Sequence, residues 1–483
     1  MRIKYSFRVS TVCAFTLLVL LLSHKISFSQ VSVASIFTDN MVLQQQSSVP
    51  VWGWSTPGAL VRCTSSWDKK EITARAGSDG KWIAWLKTPV AGGPYEITLA
   101  DKVTLKLSNV LIGEVWLCSG QSNMEMPMMG FKGQSVEGSN EAILRSANEQ
   151  VRVYTVPRAP VTTPQPNSKN AAWKIAGPES ISNFSATAYY FARLLNEILH
   201  VPVGVINASY GGSEIESWMP ATALGSFPTV KIPSPADSIK VPNRTPTALY
   251  NGMIYPLIGY GLRGFTWYQG ESNYDRPQQY AALFAAMINN WRRSWKKDDL
   301  PFYFAQIAPF NYALYSPKDL SPHLNSAYLR EAQVAVADRV ANTGMAVLLD
   351  AGNEQNIHPA NKQVAGERLA FLALAKTYGL KGLGATSPAF DSLVIKDSVA
   401  IVQFKNAPNW LTSFDRPLLN FEIAGADKIF YPATAIIYRT TVHVTSPQVK
   451  SPVAVRYAFK NFVNASLFGT DALPASSFRT DNW

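Results

Sequence analysis

Long apolar runs are almost absent from this chain. The exception lies in residues 1–29, where a basic start precedes an apolar stretch centred on Leu17 to Leu22, followed by small residues at Ser27 and Ser29. That order is typical of a secretory signal peptide. No later stretch approaches the roughly 20 continuous apolar residues that cross a bilayer. The sequence therefore predicts a secreted or periplasmic protein without a membrane span after the signal.

Cysteine and histidine are also scarce. The chain has three cysteines, and Cys13 falls in the predicted signal, which leaves Cys63 and Cys118. Disulfide bonds therefore cannot be the main source of stability in an oxidising compartment, and one bridge or two separate buried thiols both remain open. The sequence has no H-E-x-x-H motif and no Cys/His cluster, which argues against a zinc centre. We expect neither a metal nor another cofactor.

A concentrated charge of one sign is missing as well. The formal net charge is +11, and Arg2, Lys4, Arg8 and Lys25 lie in the predicted signal, so +11 less these four leaves +7. The excess is spread along the chain, without a basic stripe interleaved with aromatic residues. We therefore expect no nucleic-acid partner.

The residue pattern changes twice along the chain. Residues 30–107 contain short runs rich in Val, Ile, Trp and Thr between turn signals such as GSDGKW and AGGP, which predicts an N-terminal β-sandwich. Residues 108–384 alternate strand-like and helix-like segments, which predicts an α/β domain with a mainly parallel sheet covered on both faces. Residues 385–483 return to strand-like segments and predict a C-terminal β-rich region.

Polar clusters follow the predicted strands of the middle segment. They are GQSN (Gly120 to Asn123), YGGSEIESW (Tyr210 to Trp218), WYQGESN (Trp267 to Asn273) and DAGNEQNIHP (Asp350 to Pro359). The carboxyl ends of parallel strands meet at one edge of a sheet, where ligands bind. We therefore expect these four clusters to share one cleft.

Ser122 and His358 are the candidate nucleophile and base of this cleft. A serine hydroxyl needs a positioned base and donors aimed at the developing oxyanion. Of the histidines after the signal, His200 lies at a helix end, His323 in a proline-flanked loop and His443 in a predicted strand of the C-terminal region. His358 alone follows a strand of the middle segment. A serine after a strand is commonly a cap or turn residue, but the pair in matching positions favours catalysis.

The order of the four clusters is that of a known group of esterases. GQSNM is not the G-x-S-x-G elbow of the α/β-hydrolases, because Met124 takes the place of the second glycine. GQSN, the Gly211-Gly212 turn, QGESN and IHP instead follow the order of the four blocks of SGNH-type esterases. More narrowly, DNMVLQQ, CSGQSNMEMPM, WYQGESN, IHPANKQVAGERLA and PASSFRTDNW resemble the sialate O-acetylesterase family, from about Asp39 to Trp483.

This resemblance implies a three-layer α/β/α SGNH-hydrolase domain and a serine esterase that removes acetyl groups from sugar hydroxyls, with sialic acid foremost. It implies Ser122 as nucleophile and His358 as base. The oxyanion donors would be the backbone N–H of Ser122, that of Gly212 or Gly211, and the side-chain amide of Gln269, which takes the place of the superfamily's asparagine. An acetylated sugar or glycan is the expected substrate partner.

The acid of a catalytic triad is missing from the position that many SGNH enzymes use. Three residues before His358 stands Gln355, followed by Asn356, and neither can supply a carboxylate. Another acid must support the imidazole, or the site works as a Ser–His dyad. The structural alternative for Glu271 is a carboxylate that pins its loop. The candidate carboxylates, in order of preference, are Glu271, Asp350 and Glu354.

Substrate preference has weaker signals, each with a structural alternative. Four aromatic residues could form a sugar platform or belong to the core: Trp218, Trp267, Tyr268 and Tyr274. Two arginines could meet a substrate carboxylate or be solvated: Arg263 and Arg276. An esterase for acetylated plant polysaccharide, such as xylan or xyloglucan, would use the same four blocks. A more distant alternative is a non-catalytic glycan-binding protein, whose sign would be a missing nucleophile or base.

Overall fold

The N-terminal part of the chain is built from β-strands. The computed structural model describes residues 30–314 and 325–483, so the predicted signal peptide and His323 lie outside the described residues. In β6, Trp82, Ala84 and Leu86 are buried while the residues between them face outward, which is the period-two pattern of a half-buried strand. The first strands are β1 (Ser32–Val33), β2 (Val42–Gln44), β3 (Ser48–Trp54), β4 (Leu60–Ser65), β5 (Glu71–Arg75), β6 (Lys81–Lys87), β7 (Gly92–Ala100) and β8 (Thr104–Gly120).

Strand β8 joins the N-terminal strands to the middle of the chain. Strands β1, β3 and β6 form a separate antiparallel sheet, whereas β4 pairs with β5 and β7, and β7 pairs with β8. β8 has 17 residues; its first half pairs with β7 and its second half lies between two strands of the central sheet. The predicted boundary between residues 107 and 108 therefore falls inside one continuous strand.

The central sheet is parallel except at one edge. Its order is β10-β9-β11-β8-β12-β13-β14, and β10 pairs antiparallel with β9. The predicted mainly parallel sheet is therefore confirmed, although the two strands at the β10 edge were not predicted. The further strands are β9 (Asn148–Thr155), β10 (Lys174–Ala176), β11 (Val203–Ser209), β12 (Gly264–Tyr268), β13 (Phe302–Ala305) and β14 (Thr343–Ala346).

Helices cover both faces of this sheet, and each face has its own core. On one face, Val115 and Leu117 of β8 pack in a core with residues of helix α6 (Pro277–Ser294). On the other face, Trp116 and Cys118 pack in a second core with residues of helices α4 (Ala186–Leu199) and α8 (Lys362–Leu372). The three-layer α/β/α arrangement is thus confirmed. The helices are α1 (Ser122–Glu125), α2 (Ser139–Leu144), α3 (Pro178–Ser182), α4 (Ala186–Leu199), α5 (Ala221–Leu224), α6 (Pro277–Ser294), α7 (Ala327–Arg339) and α8 (Lys362–Leu372).

The C-terminal part is β-rich, as predicted. Its sheets have the orders β15-β16-β21-β20, β19-β18-β22-β24 and β17-β23. Val347 and Leu349, which follow β14, belong to the core of this part and attach it to the central domain. Its strands are β15 (Ala389–Lys396), β16 (Val399–Lys405), β17 (Leu411–Thr412), β18 (Phe421–Ala424), β19 (Phe430–Pro432), β20 (Thr434–Tyr438), β21 (Thr441–Thr445), β22 (Ala454–Tyr457), β23 (Phe468–Gly469) and β24 (Phe478–Arg479).

The two cysteines that follow the predicted signal are separate. Cys63 lies in β4 and Cys118 in β8, and both are free and buried. Burial raises the pKa of each thiol to about 12. The sequence left open one disulfide bridge or two separate buried thiols, and the structure has the two separate thiols.

Candidate active site

Four segments that follow strands of the central domain line one cavity of about 700 Å³. Ser122 follows β8, Gly211 and Gly212 follow β11, Glu271 follows β12, and His358 comes from the segment between β14 and α8. The predicted convergence of the polar clusters is therefore what the fold produces. Asp350, Glu354 and Gln269 are not among the residues that line this cavity.

Ser122 is placed by a turn that only glycine fits. Strand β8 ends at Gly120, whose φ is 144° and whose added Cβ would lie 2.1 Å from the carbonyl oxygen of Tyr268. Helix α1 then begins at Ser122, which is 8% exposed. The first N–H groups of a helix have no intrahelical acceptor, so those of Ser122 and Asn123 can serve an external oxygen. Among the described residues the Ser122 hydroxyl makes no hydrogen bond with the His358 ring; such bonds commonly tighten when substrate binds.

The His358 ring is held at Nδ1 by an amide and not by a carboxylate. Nδ1 lies 2.6 Å from Oε1 of Gln134, and the ring of Phe131 packs edge-on against the imidazole with 5.4 Å between the ring centroids. The backbone N–H of His358 donates to Oδ1 of Asn356. Burial, reinforced by the positive charge of Lys362, lowers the pKa of His358 to about 4. The imidazole is therefore neutral at neutral pH, as a general base must be.

The three candidate carboxylates lie in different environments. Glu271 is buried in a 3₁₀ turn, and its Oε1 accepts a 2.6 Å hydrogen bond from Nδ2 of Asn123. Its Oε2 is buried and has no hydrogen-bond partner among the described residues. Asp350 is held by Arg368 through two 2.6 Å hydrogen bonds, and Glu354 is exposed. None of the three hydrogen-bonds to the His358 ring in the described part of the chain.

A buried polar network connects Glu271 to the segment of His358. The Lys362 ammonium donates to Oδ1 of Asn123, so the Asn123 amide turns its Nδ2 toward Glu271 and toward the carbonyl oxygen of Ile357, 3.1 Å away. Burial lowers the pKa of Lys362 to about 7, and the charge of Glu271 opposes that shift; burial also raises the pKa of Glu271. Lys362 was not predicted as a site residue, although it stands four residues after His358 at the start of α8.

Of the predicted oxyanion donors, the structure favours Gly212 over Gly211 and departs from the prediction at Gln269. The N–H of Gly211 donates to Oε2 of Glu125 at 2.7 Å, whereas that of Gly212 has no acceptor in the described chain, so Gly212 is the available donor. The side-chain amide of Gln269 is fully buried, and both of its hydrogens are engaged, by the Ser213 carbonyl at 3.0 Å and by Asn273 Oδ1 at 2.7 Å. The amide therefore has no hydrogen left for an oxyanion, which corrects the predicted role of Gln269.

The rim of the cavity carries aromatic and charged side chains. Tyr274 lines the cavity and stacks on Tyr312, with 4.1 Å between the ring centroids. Arg158 pairs with Glu125, while Arg244 is more than half exposed and forms a long ion pair of 3.8 Å with Glu214. Of the residues that the sequence suggested for sugar contact, Trp218, Trp267 and Tyr268 are buried in the core, Arg263 is bound to Glu114, and Arg276 is bound to Glu216.

In residues 30–314 and 325–483, no group of three or more His, Cys, Asp or Glu side chains is arranged to hold a metal ion. In the same ranges no helix has the length and apolar character needed to cross a membrane.

Comparison with known proteins assigns the family. Residues 112–370 match the family model described as carbohydrate esterase, sialic acid-specific acetylesterase. The chain is 32% identical over 388 residues to the sialate O-acetylesterase of Homo sapiens, covering 74% of this chain and 72% of that protein, and 30% identical to that of Rattus norvegicus, covering 74% and 75%. A crystal structure of a carbohydrate acetylesterase from Xanthomonas citri superposes with a TM-score of 0.85 at 36% identity, over 94% of this chain and 100% of that one. The chain is therefore an esterase that belongs to the sialic acid-specific acetylesterase family of carbohydrate esterases.

Proposed function

We propose that this esterase hydrolyses O-acetyl esters on carbohydrate and releases acetate, with O-acetylated sialic acid as its substrate. The observation that carries the proposal is the meeting of Ser122, His358 and Gly212 in one cavity, in a chain that belongs to the sialic acid-specific acetylesterase family. A nucleophile, a base and an oxyanion donor in one cavity are the parts that acyl transfer requires.

The reaction proceeds through an acetyl-enzyme. Ser122 Oγ attacks the acetyl carbonyl carbon while Nε2 of His358 takes the hydroxyl proton. The oxyanion accepts hydrogen bonds from the backbone N–H groups of Ser122 and Gly212. The bond to the sugar oxygen then breaks, and the imidazolium returns its proton to that oxygen. Water attacks the acetyl-serine in the same way, with His358 as base, and acetate leaves.

Glu271 serves in this proposal as the carboxylate that compensates the imidazolium. It is buried, it lines the same cavity as Ser122 and His358, and its Oε2 has no partner among the described residues. Burial keeps its charge poorly screened, so it can act without a direct hydrogen bond to the ring. Asp350 is a poorer candidate because Arg368 already neutralises it.

Sialic acid carries a carboxylate, and Arg244 is the side chain proposed to bind it. Arg244 lines the cavity, is more than half exposed, and is engaged by Glu214 only at 3.8 Å. Arg158 is less suited because Glu125 holds two of its nitrogens. Arg244→Gln should raise KM for O-acetyl sialic acid about tenfold, the worth of one charge-assisted hydrogen bond. The same change should leave KM for an uncharged aryl acetate unaltered; a parallel rise in both would remove Arg244 from carboxylate recognition.

Replacement of the nucleophile tests the proposed reaction. Ser122→Ala should abolish acetate release from an aryl acetate and leave the circular dichroism spectrum and Tm unchanged. Ser119 offers a matched control: it is a buried serine of β8, and its hydroxyl donates to the Ala208 carbonyl away from the cavity. Ser119→Ala should retain activity. Undiminished turnover by Ser122→Ala would refute the proposed mechanism.

A comparison of substrates decides between the two sugar classes. Initial rates on 9-O-acetyl sialic acid should exceed those on acetylated xylan or xyloglucan at equal ester concentration. Activity confined to the plant polysaccharides would end the sialate assignment and leave the reaction type intact.

Export is the remaining part of the proposal. The charge and apolar pattern of residues 1–29 supports removal of a signal peptide near Ser29. N-terminal sequencing of the protein recovered from medium or periplasm should begin close to Gln30. An intact Met1 on the active protein would contradict the proposal.

A further inference from the structure

Gln134 makes the side-chain contact that fixes the orientation of the His358 ring. Its Oε1 lies 2.6 Å from Nδ1, the ring atom that a carboxylate holds in serine hydrolase triads. The three carboxylates that the sequence suggested for this role do not hydrogen-bond to the ring among the described residues. We propose that Gln134 is the positioning residue of His358, so that a neutral amide orients the imidazole here as a carboxylate does in those triads. The inference rests on the proposed roles of Ser122 and His358.

The loop that carries Gln134 is itself anchored at several points. This loop comprises residues 126–138, between α1 and α2. The N–H of Met128 donates to the Phe184 carbonyl, that of Gln134 to the Phe131 carbonyl, and that of Glu137 to the Ala360 carbonyl, each at 2.9 Å. The last bond ties the loop to the chain two residues after His358. The amide therefore meets the ring from a fixed backbone.

The chemistry of the contact selects one tautomer. An amide oxygen accepts and cannot donate, so Nδ1 carries the hydrogen and Nε2 keeps the lone pair. Nε2 is then the basic atom available to the hydroxyl of Ser122, which lines the same cavity. The ring of Phe131 packs against the imidazole, so one short loop fixes both the plane and the tautomer.

A neutral amide has an electrostatic consequence. Hydrogen bonds to an ionised partner are roughly twice as strong as neutral ones, so Gln134 stabilises the imidazolium less than a carboxylate at Nδ1 would. The charged groups around the cavity are Lys362 of α8, Glu271 after β12, Glu125 of α1, and Arg158, Glu214, Arg244 and Asp275 on the cavity wall. Lys362 lowers the pKa of His358, so a carboxylate introduced at position 134 would oppose it.

Two variants test the role of Gln134 through the pH profile of an aryl acetate esterase assay. In the pH profile of kcat/KM, the acid limb is the fall in activity at low pH as His358 is protonated. Gln134→Glu should raise the apparent pKa of this acid limb by roughly one to two pH units, the size of shift that a neighbouring opposite charge produces. Gln134→Ala should lower kcat roughly tenfold, the worth of one hydrogen bond, with little change in KM. Should Gln134→Ala fail to fold, the near-isosteric Gln134→Glu keeps the proposal open to refutation.

Gln355 provides the matched control. It is an exposed glutamine three residues before His358, at the position where many SGNH enzymes place their acid. Gln355→Ala and Gln355→Glu should leave kcat and the acid limb unchanged. A shift in Gln355→Glu as large as that in Gln134→Glu would overturn the proposal, because any nearby negative charge would then produce the effect.

A parallel Ser122→Ala measurement separates this inference from the proposed function. Full activity in Ser122→Ala would remove the proposed function and this inference together. An inactive Ser122→Ala combined with wild-type kcat and an unmoved acid limb in both Gln134 variants would overturn the role of Gln134 alone.

Discussion

Gly212→Ala is expected to lower turnover by more than its effect on the stability of the folded protein can explain, because it disturbs an oxyanion donor. Gly212 has φ 67°, where a residue with a Cβ costs about 1 to 2 kcal/mol. The added Cβ would also lie 2.8 Å from Nδ2 of Asn243, which donates a 2.8 Å hydrogen bond to the Gly211 carbonyl. The Asn243 side-chain amide can move away only by breaking its hydrogen bond to the Gly211 carbonyl. The turn therefore shifts instead, and the direction of the Gly212 N–H changes. Loss of one oxyanion donor should lower kcat by roughly 10² to 10³.

The assay is steady-state hydrolysis of an aryl acetate alongside thermal unfolding, with Gly58→Ala as the control. Gly58 has φ 81° and no atom within 4 Å of an added Cβ, so it bears the same backbone cost far from the cavity. Gly58→Ala should lose about 1 to 2 kcal/mol of stability and keep wild-type kcat. Wild-type kcat in Gly212→Ala, with a stability loss like that of the control, would refute the donor role of Gly212.

Three further predictions concern the charged groups around the base. Glu271→Gln should lower kcat more than Asp350→Asn does, because Asp350 is already paired with Arg368. Asp350→Asn should instead lower the free energy of unfolding in urea by about 1.5 to 3 kcal/mol. A larger loss of kcat in Asp350→Asn would transfer the role to Asp350. For the wild type, kcat/KM should fall along its acid limb with an apparent pKa of about 4, because protonation of His358 removes the base. An apparent pKa near 6.5, the ordinary value for histidine, would contradict the claim that burial lowers the pKa of His358. Lys362→Met removes a positive charge near His358 and should move that limb to higher pH, and an unmoved limb would show that Lys362 does not act on the ring.

Local patterns were enough to predict most of the fold. The alternation of strand and helix periodicity located the parallel sheet, its helices and the edge at which Ser122 and Glu271 lie. Strand β10 was missed because it has three residues and lies at the edge of the sheet, and β9 beside it was missed because its burial pattern is irregular. Cys63 and Cys118 could not be resolved from sequence because pairing depends on the positions of β4 and β8, not on residue type.

The fine chemistry of the site depends on contacts between distant segments. The sequence places Gln269 at a block position, but its hydrogens are taken by the Ser213 carbonyl and by Asn273, which only the folded turn reveals. The partner of His358 is 224 residues away in sequence, on a loop without periodicity or a strand end to mark it. Residue type and order predict which groups approach the cavity; the direction of each hydrogen bond is set by tertiary structure.

One strand makes the N-terminal β-rich part inseparable from the nucleophile. Strand β8 crosses from that part into the central sheet without a break, and Ser122 stands two residues beyond its end. An excised hydrolase that began at residue 108 would lose the start of this strand and its partners β2 and β7, exposing ladder amides and carbonyls that no other strand satisfies. The smallest fragment that folds and turns over ester should therefore begin ahead of β2, so shortening the protein beyond that point removes part of its catalytic scaffold.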